Sequence, residues 1–240
     1  MAIVVVGGQT RNIGKTSVAV GLIASLRELQ WTAIKWTQAD TEASWYCEQR
    51  EGANAHSMSI TEEHSVDSCT DSSRFLTAGA SRSFWVRTRR DQMAEAMPWL
   101  HQELARARNA IVESNSILEF LQSDVYLSVL DPTAQDFKPS AQYFLDRADA
   151  VVWSGGAAET EVARTAWSPG LLRVARSKTQ FTVQAPTYTS KSLTEFVKQR
   201  IAVCGTKEQG YGKASFCNLP LDGKKQERRQ GWGTRLKAIG

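Results

Sequence analysis

The chain has 240 residues, enough for one substantial α/β domain, and its formal charge is only +4. That charge is unevenly placed: residues 205–240 hold eight Lys or Arg and three Asp or Glu, so the remainder is close to neutral and nucleic acid is not an expected partner. No run approaches the about 18 apolar residues of a membrane span, the N-terminus lacks a basic flank and a cleavage site, and four scattered cysteines do not form a secreted disulfide framework, so a cytoplasmic protein is expected.

Ala2 to Val6 is a continuous, largely β-branched apolar run, the pattern of a strand covered on both faces, with Gly7-Gly8 expected to end it. From Lys15 to Arg27 the apolar residues Val18, Val20, Leu22, Ile23 and Leu26 fit a helix packed on a sheet, and Thr32 to Trp36 reads as a second strand. Strand, glycine loop, helix and strand open a parallel α/β fold. Thr37 to Ser73 is polar and without a sustained period, and is expected to be a long insertion away from the sheet.

Order is expected to return with a strand at Ser83 to Arg87 and a helix from Gln92 to Arg108, which Pro98 should kink or split. Three apolar runs of strand type follow, Ala110 to Val112, Val125 to Leu130 and Ala150 to Trp153, with a short helix at Pro139 to Arg147 between the last two. Phe181 to Gln184 reads as a strand and Leu193 to Val203 as a helix. The prediction is a three-layer, mostly parallel sheet of about six or seven strands with helices on both faces, the fold of a P-loop NTPase. The domain is set at residues 1–204, with 205–240 a poorly ordered basic tail or, on the rival reading, a strip for an anionic partner.

The phosphate site is read at the turn between the first strand and the first helix. Gly8, Asn12, Ile13, Gly14, Lys15, Thr16 and Ser17 are the candidate nucleotide-binding residues, because a glycine loop running into a helix N-terminus gathers N–H groups and positive dipole around an anion. Lys15 is expected to reach the β- and γ-phosphates and Thr16 to ligate Mg²⁺. Gly8 and Gly14 enclose five residues where the common pattern has four. An acid at the end of a neighbouring parallel strand can complete a Mg²⁺ site; Glu113 is the first candidate and Asp40 the second. Asp131 and Ser154-Gly155-Gly156 also sit at strand ends where ligands collect. Arg11 is a candidate catalytic arginine acting across a dimer interface.

The loop resembles the signal-recognition-like and MinD-like branch of P-loop proteins, in which dethiobiotin synthetases share the five-residue spacing. Ile34-Lys35-Trp36-Thr37-Gln38-Ala39-Asp40, Asp71-Ser72-Ser73-Arg74-Phe75-Leu76-Thr77-Ala78-Gly79-Ala80 and Ile111-Val112-Glu113 together resemble the molybdopterin-guanine dinucleotide biosynthesis protein B family over roughly residues 1 to 155. Trp36 and Gln38 replace that family's histidines, and Ser114 replaces the glycine of its Val-Glu-Gly. The resemblance implies a GTP-binding, weakly hydrolysing adapter in molybdenum-cofactor guanylylation, acting as a homodimer beside a nucleotidyltransferase or molybdoenzyme-maturation partner. An ATP-dependent small-molecule ligase like dethiobiotin synthetase and a non-enzymatic nucleotide-gated switch are the alternatives, so GTP and ATP both stay open. Cys47, His56, His64 and Cys69 in the polar insertion are read either as a Zn²⁺ site or as solvated loop residues.

Overall fold

In the computed structural model, the described residues are 1–39, 58–66, 70–89, 92–155 and 167–207. Eight strands form one sheet: β1 Ile3–Gly8, β2 Trp31–Ala39, β3 Met58–Glu62, β4 Arg82–Arg89, β5 Asn109–Glu113, β6 Val125–Leu130, β7 Ala150–Ser154 and β8 Thr179–Val183. Their order is β3-β4-β2-β5-β1-β6-β7-β8, and every pairing is parallel except β3 with β4. The helices are α1 Lys15–Ser25, α2 Asp71–Ala78, α3 Met97–Arg106, α4 Pro139–Phe144, α5 Pro169–Ser177 and α6 Lys191–Lys207.

Alternation along the central strands sorts the core into two layers. Val4 and Val6 of β1, Ala33 of β2 and Ile111 of β5 pack against Val18, Leu22 and Ile23 of α1, Phe75 of α2 and Leu193 and Val197 of α6. The opposite parity, Ile3 and Val5, Ile34 and Trp36, Ala110 and Val112, packs against Met97, Leu100 and Leu104 of α3 and Phe144 of α4. Val151 and Trp153 of β7 meet Leu172 and Ala175 of α5 in a third cluster. With helices on both faces of a mostly parallel sheet, the chain has a three-layer α/β architecture.

Several elements depart from their sequence expectations. β1 continues through Gly7 and Gly8, because both lie in the ladder opposite Ser128 and Val129 of β6. β2 runs to Ala39, paired with β4 along its whole length from Thr32. The polar stretch after residue 37 contributes an antiparallel edge strand, β3, whose partly polar sequence suits an edge position. At Pro98 the expected helix does divide: a 3₁₀ turn, Met93–Ala96, leads into α3, with the proline in the first turn where its missing N–H costs nothing. α5 had no counterpart in the sequence reading; Ser168 caps it by accepting the Leu171 N–H, and Pro169 begins it. The last helix runs through Lys207, and the rest of the basic segment lies outside the described residues. Among the described residues no helix is long and apolar enough to cross a membrane.

Candidate functional site

α1 starts from Gly14, whose φ of 94° is left-handed and whose residue offers no side-chain cap to the first turn. The N–H groups at the start of α1 are therefore available to an anion, with the helix dipole behind them. Lys15 arches back over the loop and donates to the Thr10 carbonyl at 2.5 Å, so its ammonium lies above the same turn. Burial lowers its pKa from 10.5 to about 8; Glu113 and Asp71 oppose that shift, while the nearby charges of Lys138 and Lys35 add to it. A group held in this way gains strongly from a phosphate beside it.

The loop is anchored from below at two points. Asn115 accepts from the Gly8 N–H at 2.7 Å and donates to the Gly8 carbonyl at 2.9 Å. Gln9 is fully buried and extends its amide sideways: Nε2 donates to the carbonyls of Ala134 and Asp136, and Oε1 accepts from the Asp131 N–H. The Gln9 carbonyl in turn accepts from the Lys138 N–H, which brings the segment 131–138 against the glycine loop. The long spacing between Gly8 and Gly14 thus contains a residue that ties the loop to the end of β6.

At the other side of the α1 start lies a compact polar cluster. The Thr16 hydroxyl donates to Glu113 Oε2 at 2.7 Å. The Lys35 ammonium donates to Thr16 Oγ1 and to both Glu113 oxygens at 3.2 Å, and meets Asp71 Oδ2 at 2.5 Å. Burial would raise the Asp71 carboxyl, but Lys35, with help from Arg74, outweighs it and holds the group below its ordinary range. Arg74 bridges Asp71 to the Ser17 hydroxyl, at 3.3 and 3.1 Å, and so joins the start of α2 to the start of α1.

Strand parity explains why these groups converge. Lys35 shares a face with Trp31 and Ala33, Glu113 with Ile111, and both face α1. β2 and β5 are neighbours in which Lys35 is the register partner of Glu113, and Val6, near the end of β1, is the other partner of Glu113. The middle of β2 and the carboxyl ends of its neighbours β5 and β1 thereby deliver a lysine, an acid and the glycine loop to one spot.

The oxygen set suits Mg²⁺. Thr16 Oγ1 spends its one proton on Glu113 and keeps its lone pairs as acceptors, and hard oxygen donors are what Mg²⁺ takes. Thr16 and Glu113 are the residues that would hold it.

Of the sequence-predicted residues, Gly8, Ile13, Gly14, Lys15, Thr16, Ser17 and Glu113 lie in or against this site, with Ile13 buried in the α1-side core. Asn12 adopts a left-handed φ of 60° within the loop, and Arg11 beside it is exposed. Asp131 accepts from Thr133 to close a turn, and Ser154, buried, ends β7. Asp40, Cys47, His56, Cys69 and Gly156 lie outside the described residues, while His64 is exposed just after β3. Among the described residues no group of three or more His, Cys, Asp or Glu is placed to hold a metal.

Besides Asn115 and the Gln9 side chain, Lys138 and Tyr188 are site neighbours that the sequence did not single out. Lys138 precedes the proline that opens α4 and lies near Lys15, its N–H held by the Gln9 carbonyl. Tyr188 has a left-handed φ of 47°, uncommon for an aromatic residue, and places its ring 3.0 Å from where a Cβ on Gly14 would lie. A positive-φ tyrosine leaves no sequence signal comparable to Gly or Asn.

No protein-family model matches the chain, and no match is found among the curated proteins. Among solved structures the chain is similar to HypB from Helicobacter pylori in complex with nickel, at 15% identity, over 89% of this chain and 90% of that one, with a TM-score of 0.46.

Proposed function

We propose that this chain binds a Mg²⁺–nucleoside triphosphate at the loop from Gly8 to Ser17 and serves as a slowly hydrolysing, GTP-preferring adapter of the kind found in molybdenum-cofactor guanylylation. The observation that carries this reading is the hydrogen bond from Thr16 to Glu113 at the uncapped start of α1, with Lys35 and Asp71 on the same atoms. The three segments that carry the family resemblance meet there through Lys35, Asp71 and Glu113.

Lys15 and the first N–H groups of α1 would bind the β- and γ-phosphates, and Thr16, oriented by Glu113, would present its lone pairs to the metal. When bound, Mg²⁺ supplies neutralisation of charge on the β- and γ-oxygens. Slow turnover follows from how the candidate water-positioning groups are already occupied. Glu113 accepts from Thr16 and Lys35, Gln9 is spread along 131–136, and Gln38 lies between Met93 and Ser116. A homodimer that places Arg11 of one copy against the nucleotide of the other would supply the missing stabilisation of the transition state.

Thermal melts and calorimetry with GTP, ATP and CTP, each with and without MgCl₂, test the reading. GTP with Mg²⁺ is expected to raise the melting temperature most, because a ligand that binds only the folded state stabilises it. Lys15→Ala should abolish the shift and Thr16→Val should remove its dependence on Mg²⁺. Absence of binding by all three nucleotides in the wild type sinks the proposal; preference for ATP sinks its guanine-specific part.

A further inference from the structure

We propose that the Lys35 ammonium and a divalent cation are alternative occupants of one oxygen cluster, so that this site takes its metal only together with the nucleotide and not as the free ion. The inference deepens the nucleotide-binding reading and rests on it for the identity of the metal's carrier.

Among the described residues, the polar partners of Lys35 Nζ are oxygens: Thr16 Oγ1, both oxygens of Glu113 and Asp71 Oδ2. A hydroxyl and two carboxylates are the shell that a hard cation takes, and here a lysine ammonium fills it. Thr16 and Glu113 are the same atoms that would receive Mg²⁺, so the ammonium and the metal compete for identical lone pairs. Two like charges a bond length or two apart in a buried pocket repel strongly, and Glu113 is only 5% exposed.

The free ion has little to gain there. Lys35 already compensates Glu113, and together with Arg74 it compensates Asp71. A divalent ion arriving alone adds charge to a cluster that is already balanced. A metal–triphosphate complex arrives with net negative charge, which gives the displaced ammonium a new anionic partner.

The framework also fixes where Lys35 can go. Its Cα is held in register with Glu113 by the β2–β5 ladder, so the side chain can leave the carboxylate only by turning about its own bonds. Asp71, at the first turn of α2, keeps a hold on it at 2.5 Å, and Arg74 ties that turn to Ser17 on α1. The ammonium can therefore yield the Thr16 and Glu113 oxygens while staying on Asp71.

The experiment compares the full-length wild type with Lys35→Gln and Lys35→Met in thermal melts without nucleotide, with and without millimolar MgCl₂. The wild type should be unmoved. Each variant, left with the same acceptor oxygens and without the Lys35 ammonium, should melt lower without Mg²⁺ and regain about 2–4 °C with it. Adding Glu113→Gln to either variant should erase that gain.

An equal rise in the wild type, or no rise in either variant, overturns the proposal. Should both variants fail to fold, Mn²⁺ binding to the wild type decides by electron paramagnetic resonance. Mn²⁺ is expected to stay free with protein alone and to become bound when GTP or ATP is added; binding to the protein alone overturns the proposal. The MgCl₂ arm contains no nucleotide, so its failure is distinct from failure of nucleotide binding, which the GTP and ATP melts report separately.

Discussion

Asn115 grips Gly8 by both edges of its side-chain amide, accepting from the N–H at 2.7 Å and donating to the carbonyl at 2.9 Å. The pair lies where β1 becomes the glycine loop, and it requires the neighbouring residue to be glycine: a Cβ on Gly7 would lie 2.0 Å from Asn115 Oδ1 and 2.8 Å from the Tyr126 ring. Asn115→Ala is expected to cost about 1–3 kcal/mol, because two backbone groups lose their partner. Gly7→Ala should be comparably destabilising by pushing the same amide aside. Urea unfolding of both variants checks this, and a double variant no worse than the more damaging single one would show that they act on one contact.

Gln9 supplies three hydrogen bonds to the segment 131–136. Gln9→Ala should leave the Ala134 and Asp136 carbonyls and the Asp131 N–H without that partner and destabilise the fold by about 1–3 kcal/mol. The backbone bond from the Lys138 N–H to the Gln9 carbonyl survives the substitution, so the 131–136 turn is loosened beside the loop while Lys138 keeps its tie, and nucleotide affinity should fall together with stability. Calorimetric titration of Gln9→Ala beside Gln9→Glu separates lost anchoring from altered charge. Unchanged affinity in the alanine variant would mean that the segment does not serve the site.

Gly21 of α1 faces the turn that carries Tyr188. A Cβ there would meet the Thr187 carbonyl oxygen at 2.6 Å, a backbone atom that cannot rotate away. Although alanine favours helix, Gly21→Ala is therefore expected to destabilise the protein, by about 1–3 kcal/mol, and to move the Tyr188 ring off Gly14. Crystallography of the variant, or a melting curve that shows stabilisation instead, decides the matter.

On the far edge, Arg82 of β4 is bidentate to Glu62 of the edge strand β3 and also pairs with Glu103 of α3. The hydrogen bond from Arg82 lowers the Glu62 carboxyl below its ordinary 4.5, against a smaller opposing effect of burial. A depressed acid contributes stability that is present above its unfolded value and lost as the pH falls through its folded value. Arg82→Met should therefore weaken the protein at neutral pH, and its deficit from the wild type should shrink as the pH drops below about 4.5. Hydrogen exchange of the β3 amides at two pH values reads this directly; a constant deficit would assign the loss to packing instead.

The turn from Gly8 to Ser17 was legible because its pattern is local. Gly14-Lys15-Thr16 after an apolar β-branched run places strand, turn and helix without tertiary help, and the apolar runs of β6 and β7 identify themselves by the same means. Glu113 could be chosen because a strand-end acid has few other uses. β3 was missed because Met58-Ser59-Ile60-Thr61-Glu62 carries too little apolar signal to stand out; its order comes from pairing with β4. Asn115 and Gln9 are ordinary amides in sequence, and their value comes from contacts more than 100 residues away along the chain. Lys35 and Asp71 were visible as parts of a resemblance, but that they share an oxygen cluster with Thr16 depends on the order of the strands.

Lys35, Glu113 and Val6 stand in line across three adjacent strands. The sheet therefore acts as a ruler for the charges, with the spacing set by a repeating backbone lattice. A lattice with a two-residue period tolerates changes of side chain but not of count. One residue inserted into β2 ahead of Lys35 would carry the lysine through to the α3 side of the sheet and bring a tryptophan or an isoleucine to the phosphate loop. The length of that short strand segment is under stricter control than most of its letters.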